Sequence, residues 1–353
     1  QEVCRGLVQK WPEHEFLFCF DRPFDERFIF GPNVTGKVVF PPARHPFLWW
    51  MWFELGLPQV LSSWGADCFL SPDGYCSLRS KVPTVMVTHD IAHVHYPEQV
   101  PGLVRRYYNY FVPRYLKRAE SVVTVSEYVK QDIIQHYGLA PEKLSVACNG
   151  VQPAFQSIAA KEQLATRQQY AAGQDYFFYL GAVHPRKNVP RLIAAYDAYR
   201  QQGGRPAKLL LGGRLAWQTA ATQAAHEQAQ YRHDIHFLGY VPADDLPKLL
   251  GSAKALVYPS LNEGFGVPVL EAMWAEVPVI TSHVTSLPEV AGEAALLVDP
   301  NSVEQIIAAM RRIDREPALA KQLIQAGRLQ REKFSWDKAT EVVAGAIKIL
   351  NKE

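Results

Sequence analysis

Short apolar runs alternate with longer amphipathic stretches along almost the whole chain. The runs are three to five residues long and rich in Val, Ile, Leu and Phe. Runs of this kind indicate buried strands, whereas apolar residues that return every three or four positions indicate helices. Because strands and helices that alternate in this way are typical of β-α-β units, the pattern predicts an α/β fold with parallel sheets.

The runs fall into two series, which predict two doubly wound domains. The predicted strands of the first series are at residues 16–20, 67–70, 84–88, 121–125 and 144–147, and its predicted helices are at 48–64, 101–119 and 126–137. The predicted strands of the second series are at residues 177–180, 208–211, 235–237, 255–258, 279–281 and 295–298. After residue 300 only helical periodicity remains, and it ends in an apolar stripe over residues 336–350.

Strand signals lapse over residues 151–173, a polar stretch with Ala and Gln residues in which a linker is predicted. We therefore divide the chain into an N-terminal domain, residues 1–153, and a C-terminal domain, residues 154–335. The first domain begins with a helical pattern, although a doubly wound domain normally opens with a central strand. We expect that roughly 20 residues with this strand and its turn precede residue 1, because a βαβ unit needs about 30.

Composition argues against several classes of protein. The chain has 37 Lys and Arg residues against 35 Asp and Glu residues, so no basic field is available to hold nucleic acid. The longest apolar run, residues 47–53, is far shorter than the roughly 18 residues of a membrane-spanning helix, and residues 1–20 show no export signal. Five cysteines without a Cys-x-x-Cys pair argue against a disulfide framework or a structural zinc site. We expect a cytoplasmic protein with reduced thiols.

The richest candidate chemistry lies in residues 259–275, which follow a predicted strand and open a helix. Gly264 and Gly266 let the backbone approach a ligand, and free N–H groups at the helix start favour a phosphate. Glu271, about one turn into the helix, is placed to accept hydrogen bonds from a ribose. Glu263 is expected to project into the same crevice. On spacing alone, a plain loop with two surface carboxylates is an equal alternative.

Glu263 and Glu271 frame the segment Gly-Phe-Gly-Val-Pro, and this arrangement resembles the E-x7-E signature of retaining glycosyltransferases of family 4. Other segments resemble motifs of the same family, in the same order along the chain. They are Thr88-His89-Asp90, residues 123–126, Asn149-Gly150-Val151, Leu180-Gly181, residues 185–188, residues 237–241 and residues 286–292. The resemblance covers essentially residues 5–350.

The resemblance implies the GT-B fold, in which two Rossmann-like domains face each other across a cleft. It also implies a last helix, within residues 336–353, that crosses back to complete the N-terminal domain. The donor substrate would be a nucleotide diphosphate sugar, and no cofactor would be bound. By the same resemblance Glu271 would bind the ribose, while Arg186 and Lys187 would neutralise the diphosphate.

The resemblance gives the other candidates a role as well. Glu263 would touch the hydroxyls of the transferred sugar, and the loop backbone would contact sugar or phosphate. His89 resembles a histidine that sits over the transferred sugar, where it donates a hydrogen bond or stabilises charge. The remaining expected substrate-binding residues are Gly264, Phe265, Gly266, Gly181 and Asn149.

Other interpretations stay open at this point. Many family members have an Arg after the glycine of the phosphate segment, whereas Ala182 follows Gly181 here, so Arg186 is expected to carry more of the load. A catalytically silent sugar-nucleotide-binding subunit is therefore one alternative, and a GT-B epimerase or hydrolase is another.

The sequence argues against two metal-dependent arrangements. His89 and His93 resemble the two histidines of a zinc-binding H-E-x-x-H helix, but Asp90 stands where that motif has Glu, and a β-rich run precedes His89. No Asp-x-Asp pair occurs in the sequence, so the metal-dependent GT-A arrangement lacks its ligand pair. We expect no metal site.

Two aromatic stretches remain, residues 47–53 and 105–118. The second contains five cations, as a surface helix resting on anionic lipid headgroups would; they are Arg105, Arg106, Arg114, Lys117 and Arg118. An amphipathic core helix with an ordinary charged face is the alternative, since its Tyr, Phe and Leu residues recur at helical spacing. Residues 47–53 are predicted to be core rather than a platform for an acceptor.

These observations predict a metal-independent, retaining hexosyltransferase. It is expected to move a hexose, with mannose favoured, from a nucleotide diphosphate sugar to an acceptor hydroxyl. The expected acceptor is a saccharide or a lipid-linked molecule of cell-surface polysaccharide or glycolipid synthesis, reached at the inner face of the membrane by peripheral contact.

Overall fold

The computed structural model describes residues 1–216 and 219–350. It divides into unit 1, Gln1–Asn149 with Ser335–Glu353, and unit 2, Gly150–Phe334. The described strands pair in parallel in both units, and each unit has the α/β build of a Rossmann-like domain, which confirms the predicted fold class. The last three residues of the predicted segment 336–353 lie outside the described residues.

Unit 1 contains two sheets. Its strands are β1 (Phe16–Phe20), β2 (Val34–Val38), β3 (Phe69–Ser71), β4 (Thr84–Thr88), β5 (Ser121–Thr124) and β6 (Leu144–Val146). Strands β1 and β2 form a pair, and the others form a sheet in the order β3-β4-β5-β6. Its helices are α1 (Glu2–Lys10), α2 (Pro46–Met51), α3 (Leu57–Trp64), α4 (Ala92–His95), α5 (Gly102–Arg118), α6 (Glu127–Tyr137) and α15 (Trp336–Leu350).

The core of unit 1 lies where α15 packs on α1 and on the larger sheet. Ala339 and Val343 of α15 are buried in one cluster with Leu7 of α1, Val85 of β4 and Val123 of β5. Full burial of a Val or Leu side chain stabilises a fold by about 1.5–3 kcal/mol. The apolar stripe predicted over residues 336–350 is therefore confirmed as the buried face of α15.

Two predictions for unit 1 are corrected. The single helix predicted at residues 48–64 begins at Pro46 and is interrupted by a π-helical turn, Trp52–Gly56, between α2 and α3. Strand β2 was not predicted, because most of its residues are solvent-accessible and carry no apolar alternation. Its pairing with β1 is made by the backbone, which side-chain patterns do not report.

Unit 2 contains one six-stranded sheet in the order β12-β11-β10-β7-β8-β9. Its strands are β7 (Tyr176–Leu180), β8 (Lys208–Gly212), β9 (Ile235–Gly239), β10 (Ala255–Tyr258), β11 (Val279–Ser282) and β12 (Ala295–Val298). Its helices are α7 (Ala160–Ala171), α8 (Val189–Gln201), α9 (Ala220–Gln228), α10 (Leu246–Gly251), α11 (Val267–Trp274), α12 (Leu287–Ala291), α13 (Val303–Arg315) and α14 (Pro317–Arg331).

The central strands of unit 2 are buried on both faces, which is why they read as unbroken apolar runs. The linker predicted over residues 151–173 is wrong in part, since α7 occupies much of this stretch. Only Thr166 and Ala171 of α7 are buried, so the helix has no apolar stripe for a pattern search to find. No helix in residues 1–216 and 219–350 is long and apolar enough to cross a membrane.

Candidate active site

The sheet of unit 2 reverses its strand order between two central neighbours. Strands β7 and β10 lie side by side, although two strands of the sheet, β8 and β9, separate them along the chain. In open parallel sheets, ligands bind in the crevice outside the carboxyl ends of two such strands. The segments that follow these strands, residues 181–188 and 259–266, start at this edge and contain most of the predicted site residues.

Gly266 ends the glycine loop, which we define as residues 259–266, and immediately precedes α11. Its φ of 100° lies in the left-handed region, and a Cβ atom there would lie 2.6 Å from Leu287 Cδ2. A side chain at this position would therefore strain the backbone and collide with α12. Pro268 stands in the first two positions of α11, which confirms the predicted helix start. The first N–H groups of α11 and its dipole favour an anion beside the loop.

Lys187 and Glu263 form the charged centre of the site. The Lys187 ammonium donates a 2.6 Å hydrogen bond to Glu263 Oε1 and a 2.9 Å hydrogen bond to the Tyr258 hydroxyl. Lys187 ends a 3₁₀ turn after β7, whereas Tyr258 ends β10. The structure thus brings two predicted site residues together from neighbouring segments, through charge-assisted bonds.

Tyr258 is a site residue that the sequence reasoning missed. Burial, followed by the charge of Glu263, raises the pKa of Tyr258 well above its ordinary value. The hydroxyl therefore stays protonated beside the Lys187 ammonium. A Tyr at the last position of a buried strand was the available signal, because its polar tip has to find a partner at the edge of the sheet.

Glu271 lies on α11 and is half-buried. Burial raises the pKa of Glu271 from 4.5 to about 7. Its charge contributes to the raised pKa of Tyr258, the last residue of β10. The structure shows no internal cation for Glu271 among the described residues, and a carboxylate in this position is suited to hydroxyl donors from a ligand.

Arg186 joins the two segments through its backbone. Its carbonyl accepts a 2.7 Å hydrogen bond from the Leu261 N–H, and its own N–H donates to His184 Nδ1 at 3.2 Å. Burial lowers the pKa of His184 to about 4, and the positive charges of Arg186 and Lys187 act in the same direction. The neutral ring can therefore accept this bond. Arg186 is held at the crevice, and the role of its guanidinium stays a prediction.

Close backbone contact holds the ends of β7 and β8 together. The Gly181 N–H donates to the Gly212 carbonyl at 2.9 Å. Gly213 has a φ of 147°, and a Cβ atom there would overlap the Gly181 carbonyl oxygen. Sequence reasoning missed Gly213, although a Gly-Gly pair that ends a strand was the signal for a close approach.

Asn188 connects three loops of unit 2. Its side-chain amide donates to the Pro259 carbonyl at 3.0 Å and to the Pro300 carbonyl at 2.6 Å. The residue is buried and takes a left-handed φ of 60°. Asn188 therefore fixes the segment that carries Lys187 to the segment that carries Glu263.

His89 and Asn149 belong to unit 1. His89 directly follows β4, and its Nε2 lies 2.9 Å from the Pro72 carbonyl oxygen. Because a carbonyl only accepts hydrogen bonds, this geometry assigns the proton of the neutral ring to Nε2 and leaves Nδ1 as an acceptor. The His89 side chain is exposed, and Asn149 is half-buried at the end of the unit 1 segment. Their roles stay predictions.

The two other histidines near His89 have their own partners. His93 Nε2 lies 3.3 Å from the Tyr137 hydroxyl, and burial lowers the pKa of His93 to about 4. His95 Nε2 lies 2.8 Å from the Asp132 carboxylate. Across residues 1–216 and 219–350, the structure contains no group of three or more His, Cys, Asp or Glu residues that could hold a metal ion.

The aromatic stretch at residues 47–53 is half-buried over most of its length in unit 1. Trp52 is buried and donates from Nε1 to the Val39 carbonyl at 3.0 Å. The Trp49 indole stacks on Tyr108, with ring centroids 6.1 Å apart. Phe47 is the exception, with 61% of its surface exposed.

Solved structures of other proteins share this fold over almost the whole chain. WaaG, a glycosyltransferase involved in lipopolysaccharide biosynthesis, has a TM-score of 0.77 at 18% identity, covering 98% of this chain and 95% of that one. Anabaena HepE, solved in complex with UDP-glucose, has a TM-score of 0.73 at 16% identity, covering 98% and 94%. These likenesses define the fold as that of the GT-B glycosyltransferases.

Sequence comparison identifies the family within this class. The model described as "Glycosyltransferase Family 4" matches residues 1–155, and the model described as "Glycosyl transferases group 1" matches residues 161–330. O-antigen chain mannosyltransferase B of Escherichia coli is 34% identical over 267 residues, covering 75% of this chain and 70% of that protein. O-antigen chain mannosyltransferase RfbU of Salmonella typhimurium is 27% identical over 290 residues, covering 81% and 76%. The chain belongs to glycosyltransferase family 4, of the GT-B type.

Proposed function

We propose that the chain transfers mannose from a nucleotide diphosphate sugar, with GDP-mannose as the first candidate, to a hydroxyl of a cell-surface polysaccharide or glycolipid under assembly. Two relatives that are O-antigen chain mannosyltransferases support the sugar and the pathway class. The observation that carries the proposal is the contact between Lys187 and Glu263 at the switch point of the sheet, directly before α11, the helix that contains Glu271.

Lys187 is suited to a diphosphate leaving group. An ammonium has three N–H donors, and Glu263 and Tyr258 take two of them. The third is available to a phosphate oxygen, which would share the ammonium with Glu263. Lys187 and the helix start would then stabilise the negative charge that develops on the diphosphate in the transition state.

The two glutamates would bind the two sugar rings of the donor. Glu271 would accept hydrogen bonds from the ribose hydroxyls, since its half-buried carboxyl is not paired with a cation among the described residues. Glu263, held by Lys187, would accept from hydroxyls of the mannose. Arg186, Gly181 and the glycine loop would complete the donor site.

We propose that transfer retains the anomeric configuration. The bond between the anomeric carbon and the leaving phosphate oxygen breaks as the acceptor oxygen bonds to the same face of that carbon. The acceptor's proton passes to the leaving phosphate oxygen, so no further base is needed. His89 would stabilise charge over the sugar, and the chain would supply orientation and electrostatics.

Transfer of label tests this function directly. The chain is incubated with GDP-mannose, UDP-glucose or ADP-glucose, each labelled in the sugar, and with an acceptor extract from a bacterial envelope. Label in the acceptor fraction from GDP-mannose is the expected result. Free sugar would instead indicate a hydrolase, an altered sugar still on the nucleotide an epimerase, and saturable binding without turnover a silent subunit.

We also infer that α5 contacts the membrane through its outer face. The helix contains no Asp or Glu over Gly102–Arg118, and its outer face exposes Arg105 and Arg106. Leu103 and Tyr110 are 51% and 52% exposed on the same helix, whereas its inner face is buried. Cations beside exposed apolar side chains are suited to anionic headgroups.

Binding to vesicles tests the membrane contact. The affinity for phosphatidylglycerol vesicles, measured by cosedimentation, should fall by about 30-fold in the double variant Arg105→Gln and Arg106→Gln, since each cation near an anionic surface contributes about 1 kcal/mol. The matched control, Arg312→Gln with Arg315→Gln on α13, removes the same charge from unit 2. Equal losses in the two variants would contradict a contact through α5.

A further inference from the structure

Ser286 directly precedes α12, but its hydroxyl does not cap that helix. A serine at this position usually accepts a hydrogen bond from an N–H group two or three residues later. Instead, Ser286 Oγ donates to the carbonyl oxygens of Glu263, at 2.9 Å, and Phe265, at 3.0 Å. Ser286 is fully buried, and its one hydroxyl proton is shared between two carbonyls of the glycine loop.

These two bonds fix the direction of two amides. In a planar trans peptide, the C=O of one residue and the N–H of the next point in opposite directions. Since the carbonyls of Glu263 and Phe265 point to Ser286, the N–H groups of Gly264 and Gly266 point away from it. The Gly266 N–H lies next to the first turn of α11, where N–H groups and the helix dipole favour an anion.

Thr285 supports the same backbone from the other side. Its φ of 58° is left-handed, which is rare for a β-branched residue and persists only where the surroundings fix it. Its hydroxyl oxygen accepts from the Glu263 N–H at 3.3 Å. Residues 285 and 286 together therefore hold both the N–H and the C=O of Glu263.

We propose that Ser286 is a positioning residue that turns the Gly266 amide toward the terminal phosphate of the donor's diphosphate. The inference rests on the proposed function, because it takes the ligand to be a nucleotide diphosphate. Ser286 would then contribute to the preference for a diphosphate over a bare nucleoside, because it acts on the backbone of the glycine loop. The nucleoside end of the ligand should not depend on Ser286.

Calorimetric titration separates these two ends of the ligand. GDP, UDP and ADP, and the corresponding nucleosides, are titrated into the wild-type chain and into Ser286→Ala. We expect Ser286→Ala to raise the Kd of the bound diphosphate about tenfold, and to change the Kd of its nucleoside by less than about twofold. A general structural defect would weaken both ligands alike.

Ser282 provides the matched control. It is equally buried, and its hydroxyl donates a 2.7 Å hydrogen bond to the Ser260 carbonyl, before the two glycines of the loop. Ser282→Ala should therefore leave the ratio of the diphosphate Kd to the nucleoside Kd unchanged. Ser286→Cys keeps a weak donor at almost the same size, and should show a smaller loss; this variant carries the test if Ser286→Ala does not fold.

The possible failures can be told apart. Diphosphate binding that is equal in wild type and Ser286→Ala, or weakened no more than nucleoside binding, overturns the role of Ser286 and leaves the proposed function intact. If Ser286→Ala lost affinity only for the intact sugar nucleotide, the amide would contact the sugar and not the phosphate, and this result would also overturn the assignment. A wild-type chain that binds none of the three diphosphates overturns the proposed function and this role with it.

Discussion

Glu271 combines burial with a role that requires charge. Its raised pKa, about 7, means that the folded chain holds the carboxyl proton more tightly than the unfolded chain does. Stability therefore falls as pH rises from about 4.5 toward 7, and stays low above that range. We predict that Glu271→Gln increases the free energy of unfolding relative to wild type. This increase should be about 1–3 kcal/mol larger at pH 8 than at pH 5. Urea unfolding at the two pH values measures the difference.

The same exchange should weaken nucleotide binding. A hydrogen bond to a charged acceptor contributes about 1.5–3 kcal/mol, so the Kd of the bound diphosphate should rise about tenfold or more. Glu304→Gln, at the exposed start of α13, is the control and should leave this Kd unchanged. If a folded Glu271→Gln chain bound GDP, UDP and ADP as tightly as wild type, the ribose role would be wrong.

His89 is expected to act on the transition state. We predict that His89→Ala lowers kcat by about 10² to 10⁴ fold, the range for a positioned acid-base or charge-stabilising group, while nucleotide affinity changes little. Steady-state kinetics and a separate nucleotide titration measure the two effects. His14→Ala, which changes an exposed histidine of the same unit, is the control. Unimpaired turnover in His89→Ala would remove His89 from the site.

At the scale of elements, the junction between the glycine loop and α11 depends on Gly266. Gly266→Ala places a methyl group 2.6 Å from Leu287 Cδ2 at a φ of 100°, so we predict a loss of about 1–3 kcal/mol in the free energy of unfolding. In contrast, a Cβ at Gly345 within α15 meets no atom within 4 Å, and Gly345→Ala should add about 0.5–1 kcal/mol. Chemical unfolding measures both. A neutral Gly266→Ala would show that α12 moves aside without cost.

Sequence patterns predict elements well where burial determines the residues. Strands β4 and β10 lie at the predicted positions, because buried parallel strands need continuous apolar runs. Helix α6 begins after Ser126, which accepts from the Val129 N–H, and ends before Gly138, as their capping preferences predict. In contrast, β2 and α7 bury few side chains, so no apolar period marks them.

The candidate site likewise contains residues that sequence patterns predict and residues that they do not. Glu263 and Glu271 are predicted from their spacing around the glycine loop, and Lys187 is predicted from the resemblance to a family motif. Tyr258, Gly213 and Ser286 were missed, because their parts come from hydrogen bonds and close approaches between segments distant in sequence. Such contacts exist only once β7, β8, β10 and β11 lie side by side.

At the scale of the whole molecule, the proposed chemistry depends on protein cations and a helix start in place of a metal ion. We predict that transferase activity survives exhaustive EDTA treatment, because Lys187, Arg186 and the start of α11 would neutralise the leaving diphosphate. Initial rates before and after chelation, with and without added Mg²⁺ or Mn²⁺, measure this. Activity that disappears with EDTA and returns with either ion would contradict the prediction.

The anomeric configuration of the first product tests the central claim most directly. The chain is incubated with GDP-α-mannose and an acceptor, and one-dimensional proton NMR is recorded on the first glycoside formed. The account predicts mannose transfer with the α configuration retained, because donor and acceptor meet on the same face of the sugar. A β-linked product, or GDP-mannose that is bound but never transferred, would contradict it.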